Sequence, residues 1–259
     1  MIKPVLHYFN LADEVVAFST TRHGGVSKGR LATLNINPHR GDEPSAVAEN
    51  LQAVATEIGV QADKVIRLHQ IHETHCLTVT DVFFHLSAAE QYEMEEEKDA
   101  VVTDCRNVCI GVHTADCVPV LFYDPVHHAI GAAHAGWRGT VQRIAQHTLR
   151  KMTELYGTDP KELKAVVGPC ISQKNFEVGQ EVYDAFSAAG FPMERIARMY
   201  EKWHIDLPLC NQLQLEELGV PAANILQSGI CTYDNASDFF SARILKEGFG
   251  TIYTGIALK

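Results

Sequence analysis

The sequence predicts a mixed α and β fold in one domain, residues 1–259. Three observations carry this. Short β-like runs crowd the middle of the chain, helical patterns fall around them at irregular intervals, and no Pro/Ser-rich linker, repeat or low-complexity tract divides the whole. Irregular alternation of this kind belongs to a layered α and β unit. A chain of 259 residues is long for one domain and short for two. At that size folding buries roughly 70–75% of the surface of the unfolded chain, so no disulfide staples are needed.

The elements follow in order. "EVVAFSTTRHGGVS" runs from a strand into a loop that turns at Gly24 and Gly25. "EPSAVAENLQAVATEIG" reads as a helix capped at Ser45 or a neighbour, with Val47, Leu51, Val54 and Ile58 recurring at three- and four-residue steps. The runs "KVIRLHQIH", "CLTVT", "DAVVTD", "VCIGVHT", "VPVLFYD" and "HAIGAAH" read as strands, and the acidic "AAEQYEMEEEKD" among them as a solvated helix or loop. "TVQRIAQHTLRKMTELYG" is the clearest helix, with a stripe of Val141, Ile144, Ala145, Thr148, Leu149, Met152 and Leu155 and a stop at Gly157. A strand "LKAVVGP", helices in "VGQEVYDAFSAAG" and "PLCNQLQLEELG", and a last strand "GTIYTGIAL" complete the chain. Pro208 is acceptable in the first turn of its helix.

Composition excludes some classes. The net charge of −10 is opposite to that of a general nucleic-acid binder, although a local basic pocket for a small anion is compatible with it. No apolar run is long enough for a membrane span, and the N-terminus lacks the pattern of a signal peptide. Seven cysteines, an odd number in a chain too large to be a disulfide scaffold, fit reduced thiols in a cytoplasmic protein.

The candidate chemistry centres on "TADCVPVLFYDPVHHAIGAAHAGWRGT". Cys117 is a nucleophile, a metal ligand or a small core residue. "HQIHETH" places His69, His72 and His75 at three-residue steps, and its flanks favour a strand, on which His72 faces opposite to the other two. His72, Cys117 and His134 could then form three ligands with an open fourth position, as in a catalytic zinc site. Cys117 and His134 could equally form a metal-free nucleophilic pair. Arg22, His23 and Ser27 beside the glycines of "TRHGGVS" could meet an anion or simply line a turn. "LNINPHRGD" adds Asn35, His39 and Arg40, and Arg138 stands at the start of a helix, either as an anion contact or as a solvated surface charge. None of the 13 histidines forms a His-X-His pair, and Gln173 stands where P-C-x-x-C would need its second cysteine. Neither a multicopper centre nor a zinc nucleobase deaminase of the usual type is therefore present.

"TRHGGVS", "LNINPHRGD", "HQIH", "TADCVPVLFYDP", "HAIGAAHAGWRGT", "VGPCIS..NFEVG" and "CTY....FFSAR" occur in the order seen in the YfiH/YlmD family, from about residue 15 to residue 243. The chain resembles that family nearly throughout. The family was long labelled multicopper polyphenol oxidoreductase (laccase) and is associated with purine nucleoside phosphorolysis and adenosine deamination. The resemblance implies an α+β fold, a single domain with mixed β-sheets flanked by helices. It also implies His72, Cys117 and His134 as zinc ligands, with copper the other metal to consider. Two departures stand out: Glu73 replaces the usual glycine after the motif histidine, and "FFSAR" is not followed by a second arginine.

The same resemblance implies substrates. They are purine nucleosides (adenosine, inosine and 5′-methylthioadenosine) and inorganic phosphate. Deamination needs water to attack C6 of adenosine, with Asp116 a candidate proton shuttle or a structural partner. Phosphorolysis needs phosphate held under C1′, where positioning and charge neutralisation supply most of the rate. Arg22, His23, Asn35, His39 and Arg138 are the candidates for that pocket. The alternatives are a metal-free Cys-His hydrolase or amidase acting in peptidoglycan-precursor editing, a copper-dependent polyphenol oxidase, and a non-enzymatic scaffold.

Overall fold

The computed structural model describes residues 2–259; Met1, the first residue of the expected domain, lies outside the described residues. In chain order, β1 (Leu6–Phe9) and β2 (Val15–Thr20) form a hairpin, and a long loop leads to α1 (Pro44–Ile58). Then come β3 (Cys76–Val79), α2 (Ala88–Glu95), β4 (Ala100–Thr103), β5 (Val108–Thr114), β6 (Val118–Asp124) and β7 (Ala129–Ala135). Two successive helices, α3 (Trp137–Val141) and α4 (Ile144–Tyr156), precede β8 (Lys164–Val167), β9 (Glu177–Val178) and α5 (Gln180–Ala188). The remainder is α6 (Met193–Ile196), β10 (Ala197–Met199), β11 (Trp203–Ile205), α7 (Leu207–Glu217), β12 (Ile225–Gln227), α8 (Ala242–Leu245) and β13 (Ile252–Leu258).

Two large sheets and two sets of helices stack in the order α-β-β-α. A four-stranded antiparallel sheet, β1-β2-β13-β5, packs one face on α1 through Phe18, Tyr253, Leu51 and Val54. Its other face meets a six-stranded sheet, β12-β8-β6-β7-β4-β3, through Ala17, Ile110, Ile256, Leu121 and Ile130. That second sheet is mixed: β3–β4 and β8–β12 are parallel and the pairs between them antiparallel. Its outer face carries α4 and α7, through Ile144, Leu149, Met152, Cys210 and Leu213. The fold is α+β, with mixed sheets flanked by helices. A small sheet, β10-β11-β9, lies apart from the two large ones.

The apolar runs explain the layering. Every residue of β5, β6, β7 and β13 is buried. Side chains alternate across a strand, and in β6 Val118, Val120 and Phe122 face the helices while Leu121 and Tyr123 face the other sheet. A strand covered on both faces has no polar side, so its sequence reads as one continuous apolar run.

Three expectations need correction. "KVIRLHQIH" is not a strand. It runs as an extended loop with two isolated bridges, Val65↔Cys109 and His69↔Glu96, and no ladder. Its anchors come from elsewhere: the Tyr253 hydroxyl donates to the Ile66 carbonyl at 2.8 Å. The Tyr253 ring lies over Gly111 and Gly255, where a Cβ would come within 2.5 and 2.6 Å of it. Second, α1 begins at Pro44 with Glu43 as N-cap and no side-chain cap, so Ser45 does not cap it. Third, the long helix is two, broken where Arg143 adopts the left-handed conformation at φ 66°. Leu155 leaves the buried stripe and is exposed.

Candidate metal centre

Three chain segments meet at the end of the two central strands. His134 lies on β7, Cys117 in the turn between β5 and β6, and His72 in the loop before β3. The antiparallel register Ala100↔Ala133 sets Asp99 beside His134. The ring Nδ1 of His134 pairs with Asp99 Oδ1 at 2.7 Å, and its backbone N–H donates to the Asp99 carbonyl at 2.7 Å. With Nδ1 facing a carboxylate, Nε2 is left for the site.

Asp99 also shapes the loop that delivers His72. Its carboxylate accepts the backbone N–H groups of Ile71, His72 and Glu73 at 2.9–3.1 Å. This nest holds His72 in the left-handed conformation, φ 66°. The strand alternation expected for "HQIHETH" is therefore absent, because a turn separates the histidines. His75 is exposed and its Nδ1 faces the Glu97 carbonyl. Burial would raise the Asp99 carboxyl, but the His134 ring and the N–H groups of Glu73 and Ile71 outweigh it and hold it low. Glu73 exposes its side chain and contributes only its N–H.

One ligand atom from each of His72, Cys117 and His134 lies within 4.8 Å of the others. The two imidazole planes are inclined at 64°, with centroids 4.6 Å apart, so lone pairs in those planes can converge. Gly136 keeps the space between them open: a Cβ there would stand 2.7 Å from His72 Nδ1 and 3.2 Å from Cys117 Sγ. Burial alone would raise the Cys117 thiol, yet the adjacent His134 and His72 rings outweigh it and lower it toward thiolate. For His134, burial is outweighed in turn by Cys117 and Asp99, which raise it. Two imidazoles and a thiolate, one imidazole steered by a carboxylate, suit a zinc ion.

A second group, His39, His69 and Glu96, also has ligand atoms within 4.8 Å, but it fits a metal poorly. Its imidazoles are stacked, 4.2 Å apart and 17° from parallel. An imidazole lone pair lies in the ring plane, so two stacked rings cannot aim at one ion.

His72, Cys117 and His134 line one pocket of about 260 Å³ with the two stacked imidazoles of His39 and His69, together with Arg40, Gln70 and His113. Gln70 pairs with His113 as a strand would: its amide donates to the His113 carbonyl at 2.8 Å and accepts the His113 N–H at 2.7 Å. Burial pushes the His113 ring well below its usual range and keeps it neutral. Arg40 donates from Nε to the Phe249 carbonyl and lies 4.3 Å from the centre of that ring.

Of the residues expected to meet an anion, His39 lines this pocket and the others lie elsewhere. Arg22 donates to the carbonyls of Ala32 and Ala236 and lies over the Phe240 ring. His23 pairs with Asp238 at the surface. Asn35 is buried, donating to Asp42 and to the Asn37 carbonyl. Arg138 is exposed and lies over the Trp137 ring. Asp116 accepts hydrogen bonds from Thr232 Oγ1, Ser241 Oγ and the Arg243 N–H at 2.6–3.0 Å, which fastens the Cys117 turn to Thr232 and to the start of α8. Sequence reasoning missed Asp99 and Glu96 and carried Arg40 and His69 no further. The one usable signal for Asp99 was an acidic residue abutting an apolar strand.

Residues 16–259 match the family described as multi-copper polyphenol oxidoreductase laccase. A purine nucleoside phosphorylase of Bacteroides thetaiotaomicron is 40% identical over 99% of this chain and 97% of its own. Adenosine deaminase RL5, from an unknown prokaryotic organism, is 36% identical over 98% of each. The crystal structure of the hypothetical protein YfiH of Bacillus licheniformis superposes with a TM-score of 0.91 at 30% identity, over 99% of this chain and 97% of that one.

Proposed function

We propose that this chain, which belongs to the multi-copper polyphenol oxidoreductase laccase family, is a zinc-dependent purine nucleoside enzyme. In this reading it cleaves adenosine, inosine and 5′-methylthioadenosine with inorganic phosphate and deaminates adenosine to inosine. The observation that carries it is the convergence of His72, Cys117 and His134 in a pocket that also holds the Arg40 guanidinium. The names of the two relatives above supply the substrate class.

His72, Cys117 and His134 would hold the zinc. Bound there, zinc supplies Lewis-acid chemistry, making water acidic near neutral pH. The chain's own residues do the rest. Asp99 orients His134 and fixes the His72 loop. Arg40 and His39 hold phosphate against the face of the sugar, so that phosphate oxygen reaches C1′ as the base leaves. Arg22 and Asn35 act through the loop that carries His39, and Asp116 positions Cys117. His23 and Arg138 serve as outer anion contacts. Among the described residues no helix is long and apolar enough to cross a membrane and every cysteine is free; the proposal places the protein in the reducing cytoplasm.

Incubating purified protein with adenosine or inosine and phosphate, with metal analysis of the same sample, tests this. The expected products are free base and ribose 1-phosphate, with inosine also formed from adenosine, and about one zinc per chain. Cys117→Ala should lose both metal and turnover. Retained zinc with full turnover in that variant would defeat the reading.

One observation favours a second reading: without metal, Cys117 is lowered and His134 raised, as in a thiolate–imidazolium nucleophile. Iodoacetamide separates the two. A free nucleophile alkylates in the protein as purified, whereas a zinc-held thiolate alkylates only after chelation.

A further inference from the structure

Two histidine–carboxylate pairs open onto one pocket. His134 turns Nδ1 to Asp99 and its other side to Cys117. His69 turns Nδ1 to Glu96 Oε2 at 2.5 Å, and among the described residues its Nε2 has no hydrogen-bond partner. The His69 ring lines the same pocket as His72, Cys117 and His134.

The His69 ring is held in place on several sides. The backbone N–H of His69 donates to the Glu95 carbonyl at 3.0 Å, and its backbone carbonyl accepts the Lys98 N–H at 3.2 Å. His39 covers one face of the ring at 4.2 Å. The stacking argues against a shared metal, and Glu96 engages the nitrogen away from the pocket. An imidazole with one nitrogen on a carboxylate and the other free toward a pocket is built to move a proton.

Phosphorolysis of a purine nucleoside calls for such a group. The purine leaves as a poor anion unless a proton reaches its imidazole ring. Resting on the reading of the site given above, we infer that His69 is the general acid for the departing purine. As the C1′–N9 bond breaks, its electron pair passes into the purine, and a phosphate oxygen forms the new bond to C1′. The proton on His69 Nε2 goes to purine N7. His69 keeps its Nδ1 proton on Glu96 and regains the other from water.

The test compares phosphate-dependent base release from inosine and from 7-methylguanosine at saturating phosphate. The 7-methyl purine already carries the positive charge that the proton would supply. His69→Gln should slow inosine cleavage about 100-fold and 7-methylguanosine cleavage by no more than about threefold. Glu96→Gln should show the same selectivity at about 10-fold, and it carries the test alone if the His69 variant does not fold. Equal losses on both nucleosides, or no loss on either, overturn the role of His69 and leave the parent function standing. Release of neither base by the wild type overturns both.

Discussion

Asp99 and His134 meet twice, through the ring Nδ1 and carboxylate at 2.7 Å and through the backbone N–H and carbonyl at 2.7 Å. The same carboxylate gathers the N–H groups of residues 71–73. Asp99→Asn removes the charge that orients the ring and puts an amide donor against N–H groups. Zinc affinity, measured by chelator competition, should fall about 10- to 100-fold. Amide hydrogen exchange at residues 71–73 should quicken. Unchanged affinity would mean that His134 needs no carboxylate.

Gly136 tests whether the space between the donors matters. Its backbone, φ −64° and ψ 170°, suits any residue, so Gly136→Ala should not strain the chain. The new Cβ would stand 2.7 Å from His72 Nδ1 and would push that ring off its place. We expect native circular dichroism with metal content well below that of the wild type, and phosphorolysis lost with it. Full metal occupancy in this variant would show that His72 is dispensable.

Arg40 is the guanidinium in the pocket wall, and among the described residues only its Nε has a hydrogen-bond partner. Replacing it by methionine keeps the contact with Phe249 but removes the charge. A hydrogen bond to a charged group contributes about 1.5–3 kcal/mol, so the KM for phosphate should rise about 10- to 100-fold. The KM for nucleoside should move little. An unchanged phosphate KM would return the anion role to the other loops.

Glu95, whose backbone carbonyl accepts the His69 N–H, gives the fold a pH dependence of its own. Burial pushes its carboxyl from 4.5 up to about 7, with Arg67 opposing. Between those values the folded chain holds a proton that the unfolded chain has released. Stability therefore falls as pH rises from 4.5 to 7, by about 3 kcal/mol at most. Glu95→Gln should remove that slope. Thermal melts of both proteins at pH 5 and pH 8 read it directly, and equal slopes would refute it.

Patterns within one segment were legible in the sequence, and relations between segments were not. The stripe of α4 and the apolar runs of β5, β6 and β7 are local, so periodicity and length found them. The "HQIHETH" loop failed because the residue that turns it, Asp99, lies more than twenty positions downstream. Nothing within residues 69–75 states that their N–H groups bond to a distant carboxylate rather than to a neighbouring strand. Asp99 is likewise unremarkable in "EKDAVVTD" until the β4–β7 register sets it against His134. The arginines misled in the opposite way. Arg22 sits in a glycine-rich loop as an anion ligand would, yet the Ala32 carbonyl of that loop and the distant Ala236 carbonyl occupy it.

The position of β13 also bears on the order in which the molecule can be made. It is the last strand of the chain, yet it lies inside its sheet, between β2 and β5, and is buried along its whole length. A nascent chain synthesised through β12 still has no bridge between those two strands. Its half-built first sheet exposes two unpaired edges and the apolar faces of β2 and β5. Contacts this distant in sequence form late, and such intermediates are prone to aggregate. Ribosome-bound chains halted before residue 252 should therefore depend on chaperones, and chains extended past β13 should not.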